Sequence, residues 1–283
     1  MSENPGQVDT AKHGETQEFK DKKRKFFVNL GLQTREMLKM HKSAGLWEKD
    51  EKGESWENVS EHCLVEVART EILGELLNLS EDAKKNLKFA AALHDFHKRK
   101  DIEATKTALK SKKPVLPVLE KQTEKDLSEM REAGINEDII YIKEGIGGEK
   151  RPESLMLEIL DKKDPLPDID VACLVLHYVD GYTRGDKWAV PAEIVPERGK
   201  INELDRRQDK NESNPNYEKI NIEGTGFFQE GETMYQAERR ICNLIENRIA
   251  ELLKEKAGIE IDPLDLPEFI DQKIREKIEA IEE

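Results

Sequence analysis

At 283 residues, with 37% charged and 36% hydrophobic side chains, the chain can bury a sizeable core while much of it faces water, as long amphipathic helices do. A formal charge of −14 repels a polyanion approaching at random and so disfavours nonspecific nucleic-acid binding. No segment approaches the ~18 apolar residues that span a bilayer and the polar N-terminal stretch does not fit a secretion signal, so a cytoplasmic protein away from membranes is expected. Cys63, Cys173 and Cys242 are widely separated in apolar contexts and read as reduced core thiols.

Residues 1–20 lack an apolar period and read as a flexible leader. A first helix is expected at about 24–41, with Phe27, Leu30, Met37 and Leu38 as its stripe. A turn-rich stretch then brings Trp47 and Trp56 near Ser60, a candidate N-cap for a helix running to about Leu77, with His62 in its first turn. Leu64, Val67, Ala68, Ile72 and Leu76 recur at three and four residues. Glu66, Arg69, Glu71 and Glu75 fill the other side, which predicts a half-buried helix. Ser80 is a second cap, and the run from Leu87 to Leu93 is apolar nearly all round, as in a helix through the centre of the protein.

Beyond Arg99 the chain is charged and broken at Pro114 and Pro117, with a weak helix expected over 136–144. VACLVLHYVDGY (171–182) fits a strand or a buried helix by periodicity, and the lack of another convincing strand favours the helix. Residues 197–225 are polar and turn-rich. A long helix is expected at about 231–256, and a last one carries Ile270, Ile274, Ile278 and Ile281. The expected fold is all-α, with a leader over 1–20, a helical domain over 21–227 and a C-terminal helical hairpin over 228–283.

His62, His94, Asp95 and Asp180 each stand beside a buried stretch rather than in a polar loop. Imidazole and carboxylate together suit borderline divalent ions such as Mn, Co, Zn, Fe or Ni, and burial favours a charged partner. Spacing alone fits equally well a turn cap at His62, a local hydrogen bond between His94 and Asp95, and a helix end at Asp180.

ENVSEHCLVEVA (57–68), LSEDAKKNLKFAAALHDFHK (79–98) and LHYVDGY (176–182) together resemble the H…HD…D signature of HD-domain metal-dependent phosphohydrolases. ENVSEH is similar to the matching segment of bacterial 5′-deoxynucleotidases of that superfamily. The resemblance spans roughly 55–185 and implies an HD-type helical bundle around one divalent metal held by His62, His94, Asp95 and Asp180. It also implies hydrolysis of a nucleotide or other small phosphomonoester by a metal-activated water. His97 is the only histidine between Asp95 and His177, so the extra histidine pair of dinuclear HD sites is absent. Lys98 stands where the deoxynucleotidase-like proteins carry a glutamate that assists proton transfer. A lysine there would clamp charge rather than act as a base. Asp95 and Lys98 are therefore the expected catalytic pair, with Glu61, His97, His177 and Arg184 as candidate supporting or substrate-facing residues.

Two other functions compete. The cluster Lys98, Arg99, Lys100, Lys106, Lys110, Lys112 and Lys113 could serve an HD nuclease on single-stranded nucleic acid, against the overall charge. Lys98 in place of the glutamate suits a non-catalytic regulatory module. GIGGEKR (145–151) lacks the ending of a phosphate loop and reads as a turn. The C-terminal isoleucines fit a homodimer seam and intramolecular packing equally well.

Overall fold

The computed structural model describes residues 16–49, 53, 55–111, 116–147, 152–183, 229, 232 and 234–282, and among these the protein is all-helical with no strand. Arg184, Lys112, Lys113, most of GIGGEKR and the polar stretch 197–225 lie outside the described residues. No described helix is long and apolar enough to cross a membrane.

Helix α1 (Gln17–Gln33) starts inside the expected leader because the Thr16 hydroxyl accepts the Phe19 amide at 3.2 Å. The single helix expected at 24–41 is two, α1 and α2 (Arg35–Ser43). They part at Thr34, whose hydroxyl and amide both return to the Leu30 carbonyl, at 2.8 and 3.0 Å. Ser60 does not cap α3 (Glu57–Leu76). It lies within the first turn, buried, with its hydroxyl between His41 Nδ1 at 3.0 Å and Trp47 Nε1 at 2.9 Å. His62 is thereby moved into the body of the helix.

Helix α3 is not half-buried. Glu66 and Arg69, on the side read as solvated, have no exposed surface, because later helices pack on α3. Only Glu71 and Glu75 of that side stay near water, paired with Lys88 at 2.8 Å and Lys277 at 2.6 Å. Ser80 does cap α4 (Glu81–Leu93), accepting from Ala83, while its own amide donates to Asp168 at 2.8 Å and ties α4 to the start of α9. Ala90, Ala91, Ala92 and Leu93 are completely buried, so α4 does run through the centre.

The charged segment folds as α5 (Lys98–Lys110) and α6 (Leu116–Glu132), with Pro117 in the first turn of α6, where a missing amide hydrogen costs nothing. Asn136 caps α7 (Glu137–Glu144), α8 spans Pro152–Leu160, and VACLVLHYVDGY lies in α9 (Asp168–Tyr182). Helix α10 (Met234–Ala257) packs on α8 and α9. A 3-10 turn at Pro263–Asp265 leads to α11 (Leu266–Glu279), which packs on α3 and α1. Ile241, Ile245, Ile249, Ile270, Ile274 and Ile278 all lie in the core shared with α3, α4 and α9. Intramolecular packing accounts for the isoleucine stripes.

Candidate metal centre

Helices α3, α4 and α9 bring His62, Glu66, His94 and Asp180 together, with one donor atom from each inside a sphere that a single ion could fill: these atoms all lie within 4.8 Å of one another. His62 and Glu66 are four residues apart and so share a face of α3. His94 ends the buried α4, and Asp180 sits in the last turn of α9.

His94 Nδ1 lies 2.8 Å from the Ala91 carbonyl and donates its hydrogen there, which leaves the Nε2 lone pair facing the centre. That Nε2 is buried without a hydrogen-bond partner, 3.7 Å from Asp180 Oδ1 and 3.7 Å from Asp95 Oδ2. His62 Nε2 lies 2.9 Å from Glu66 Oε1 and 3.9 Å from Asp180 Oδ1. Both Glu66 oxygens are buried without a hydrogen bond, Oε2 lying 3.3 Å from His94 Nδ1. A carboxylate sealed from water in this way needs a cation beside it. Burial disfavours charge on the His62 ring, but Glu66, Asp180 and Asp95 outweigh it and raise the ring's pKa to about 10. A proton on His62 would balance the buried Glu66 charge.

Asp95 points to the rim. Its Oδ1 accepts from Lys98 Nζ at 3.0 Å. Burial works against its charge, yet Lys98, His94 and His62 hold its carboxyl well below the usual carboxylate range. Three of the four expected ligands, His62, His94 and Asp180, therefore come together, and Glu66 joins them from the face of α3 assigned to solvent, whereas Asp95 stands outside this group of four, with its Oδ2 3.7 Å from His94 Nε2. The placement of Glu66 four residues after His62, on a helix that also carries Arg69, was the available sign. Cys63 Sγ lies 3.6 Å from His94 Nδ1, and burial keeps it a thiol. All three cysteines are buried.

The supporting candidates divide. His97 is not a surface residue. It is 2% exposed and turns away to α6, with Nδ1 against Asp126 and Nε2 2.8 Å from Glu129. His177 donates from Nδ1 to the Gly145 carbonyl at 2.6 Å and pins α9 to the end of α7. Glu61 is half-buried beside His62. The first three residues of the basic cluster are engaged within the fold. Arg99 donates to the Gly45 and Glu48 carbonyls at 3.0 and 3.2 Å, Lys100 meets His97 and Glu129, and Lys98 meets Asp95.

Compared with known proteins, the chain matches no family model, no curated protein and no solved structure. The chemistry of the centre itself carries the functional argument.

Proposed function

We propose that the chain is a metal-dependent phosphohydrolase acting on a nucleotide or another small phosphomonoester. The observation that carries this reading is the convergence of two imidazoles and two carboxylates on one point, with His94 Nε2 buried there without a hydrogen-bond partner. That donor set fits one divalent ion of the Mn, Fe, Co, Ni or Zn class. When bound, such an ion supplies Lewis acidity, making a water nucleophilic near pH ~7 and drawing charge from a phosphoryl oxygen.

The side chains supply the rest. Asp180 and Asp95 are 24% and 13% exposed whereas Glu66 and His94 are fully covered, so the centre opens on the aspartate side. Lys98, 40% exposed, stands on the same rim. An arriving phosphate draws the Lys98 ammonium from Asp95, and the released carboxylate orients the attacking water and takes its proton. The resemblance of ENVSEH to the deoxynucleotidase segment directs the choice toward nucleotides. A non-catalytic metal-binding module is the second reading, favoured by the Asp95–Lys98 ion pair, which occupies the proposed base.

Chain dialysed against Mn or Co is expected to hold a single ion and to release phosphate from a panel of nucleoside monophosphates and generic phosphate esters. His94→Ala and Asp180→Ala lose both properties, whereas Lys98→Ala keeps the ion and loses rate. Bound metal without hydrolysis of any ester selects the second reading. Absence of stoichiometric metal overturns both.

A further inference from the structure

Arg69 lies three residues after Glu66 on α3, so the two side chains are neighbours on one face, and neither has any exposed surface. The guanidinium is fully engaged elsewhere. Nε and Nη2 form a bidentate pair with the two Asp271 oxygens, each at 3.0 Å, and Nη1 donates to Thr183 Oγ1 at 2.7 Å. The guanidinium carbon sits 4.5 Å above the Tyr182 ring. Thr183 and Tyr182 follow Asp180 at the end of α9, while Asp271 comes from α11, near the C-terminal end of the described chain. A buried guanidinium takes whichever carboxylate lies nearest, since an unpaired charge in the interior costs several kcal/mol. Two carboxylates compete for Arg69: Asp271, which holds it, and Glu66, one helical turn back, whose charge also reaches it.

We propose that Asp271 is a positioning residue of the metal centre: by holding Arg69 in a bidentate pair, the C-terminal helix keeps the guanidinium off Glu66 and leaves that carboxylate for the metal. This rests on the metal reading above. Without Asp271, Arg69 swings back to Glu66 and occupies as an ion pair the oxygens that would otherwise meet the ion. Glu66 is then silenced without being mutated. Thr183 holds the third nitrogen, Nη1, at the end of α9.

The test is cobalt(II) binding to the full chain, followed by equilibrium dialysis and by the visible absorption of the bound ion, with melting curves to establish folding. Asp271→Asn is expected to weaken binding by about 10- to 100-fold, the usual cost of losing a group that orients a ligand. Asp271→Glu, which keeps the anion, retains it. Arg69→Met combined with Asp271→Asn removes the competing cation, is expected to fold because neutral replacement of a buried pair is often tolerated, and recovers binding. A purely structural ion pair predicts no such recovery. Asp271→Asn with wild-type affinity, or a folded double variant that fails to bind, overturns the proposal. The double variant decides the matter alone if Asp271→Asn does not fold. A wild-type chain that takes up no cobalt removes the metal reading and this inference with it.

Discussion

Glu66 carries the sharpest consequence at the scale of single residues. Its carboxylate is buried 2.9 Å from His62 Nε2, so Glu66→Gln removes one partner of a buried ion pair and a candidate metal donor together. Metal binding is expected to weaken at least about tenfold, and the metal-free protein melts below wild type because His62 loses the carboxylate that favours its proton. Titration calorimetry with Mn and parallel melts check both, and unchanged affinity would remove Glu66 from the centre. His41 gives the pH dependence. Its Nε2 donates to the Ala92 carbonyl at 2.7 Å and its Nδ1 accepts from Ser60, whose oxygen accepts from Trp47. Every hydrogen in that chain is used with a neutral ring. Burial, against the Ala92 bond, lowers its pKa from 6.5 to about 4. The folded state then refuses a proton that the unfolded state accepts. Stability from this group is complete above pH 6.5, declines as pH falls, and is lost below about 4, a swing of about 3 kcal/mol. Urea midpoints measured from pH 7.5 to 4 should fall less steeply in His41→Gln. His62, His94 and Asp180 were picked out in the sequence because polar residues beside apolar runs stand out and because their segments resemble the HD signature. Glu66 was not, because a glutamate among charged neighbours at helical spacing looks like a solvated face.

Helix periodicity identifies a stripe that must be buried but is silent about a second, polar stripe covered by another helix. That is why α3 was read as half-buried. Ser80 before α4 and the apolar run of α4 itself were legible, since a cap and an all-round apolar run are local signals. Ser60 misled for the converse reason: its hydroxyl is used by His41 and Trp47 rather than by the α3 amides. The contact between α7 and α9 leaves no local signal either. A Cβ added at Gly145 would stand 2.7 Å from Cys173 Sγ, 3.1 Å from the Ile142 carbonyl oxygen and 3.2 Å from that of Cys173. The glycine is there so that the end of α7 can touch α9, where its carbonyl also receives His177. Gly145→Ala should push the two helices apart at a cost of about 1–3 kcal/mol, as overpacking does. Adding Cys173→Ala should recover only part of this, because the backbone oxygens remain. Urea denaturation of the two variants checks the order, and a Gly145→Ala protein as stable as wild type refutes the close-approach reading.

The last two helices close the core rather than stand apart from it, and magnitudes decide what their loss does to the whole molecule. Leu266, Ile270, Ile274 and Ile278 are each completely buried, on a helix that packs on α3 and α1. At ~1.5–3 kcal/mol per buried aliphatic side chain, α11 contributes ~6–12 kcal/mol, comparable to the ~5–15 kcal/mol total stability of an ordinary domain. Its removal also leaves the Arg69 guanidinium in the interior without Asp271. A chain ending after Ala257 is therefore expected to show no cooperative thermal transition and to bind no metal, whereas the full chain melts in a single transition that metal shifts upward by mass action. Calorimetry of the two proteins with and without Mn tests this. A truncated chain that still melts cooperatively would mean that α1 to α10 form a sufficient core without the C-terminal segment. The isoleucine periodicity of α11 announced a buried face. Only the fold revealed that the face opposite it is α3, and that Asp271, lying between those isoleucines, reaches the arginine one turn from a metal ligand.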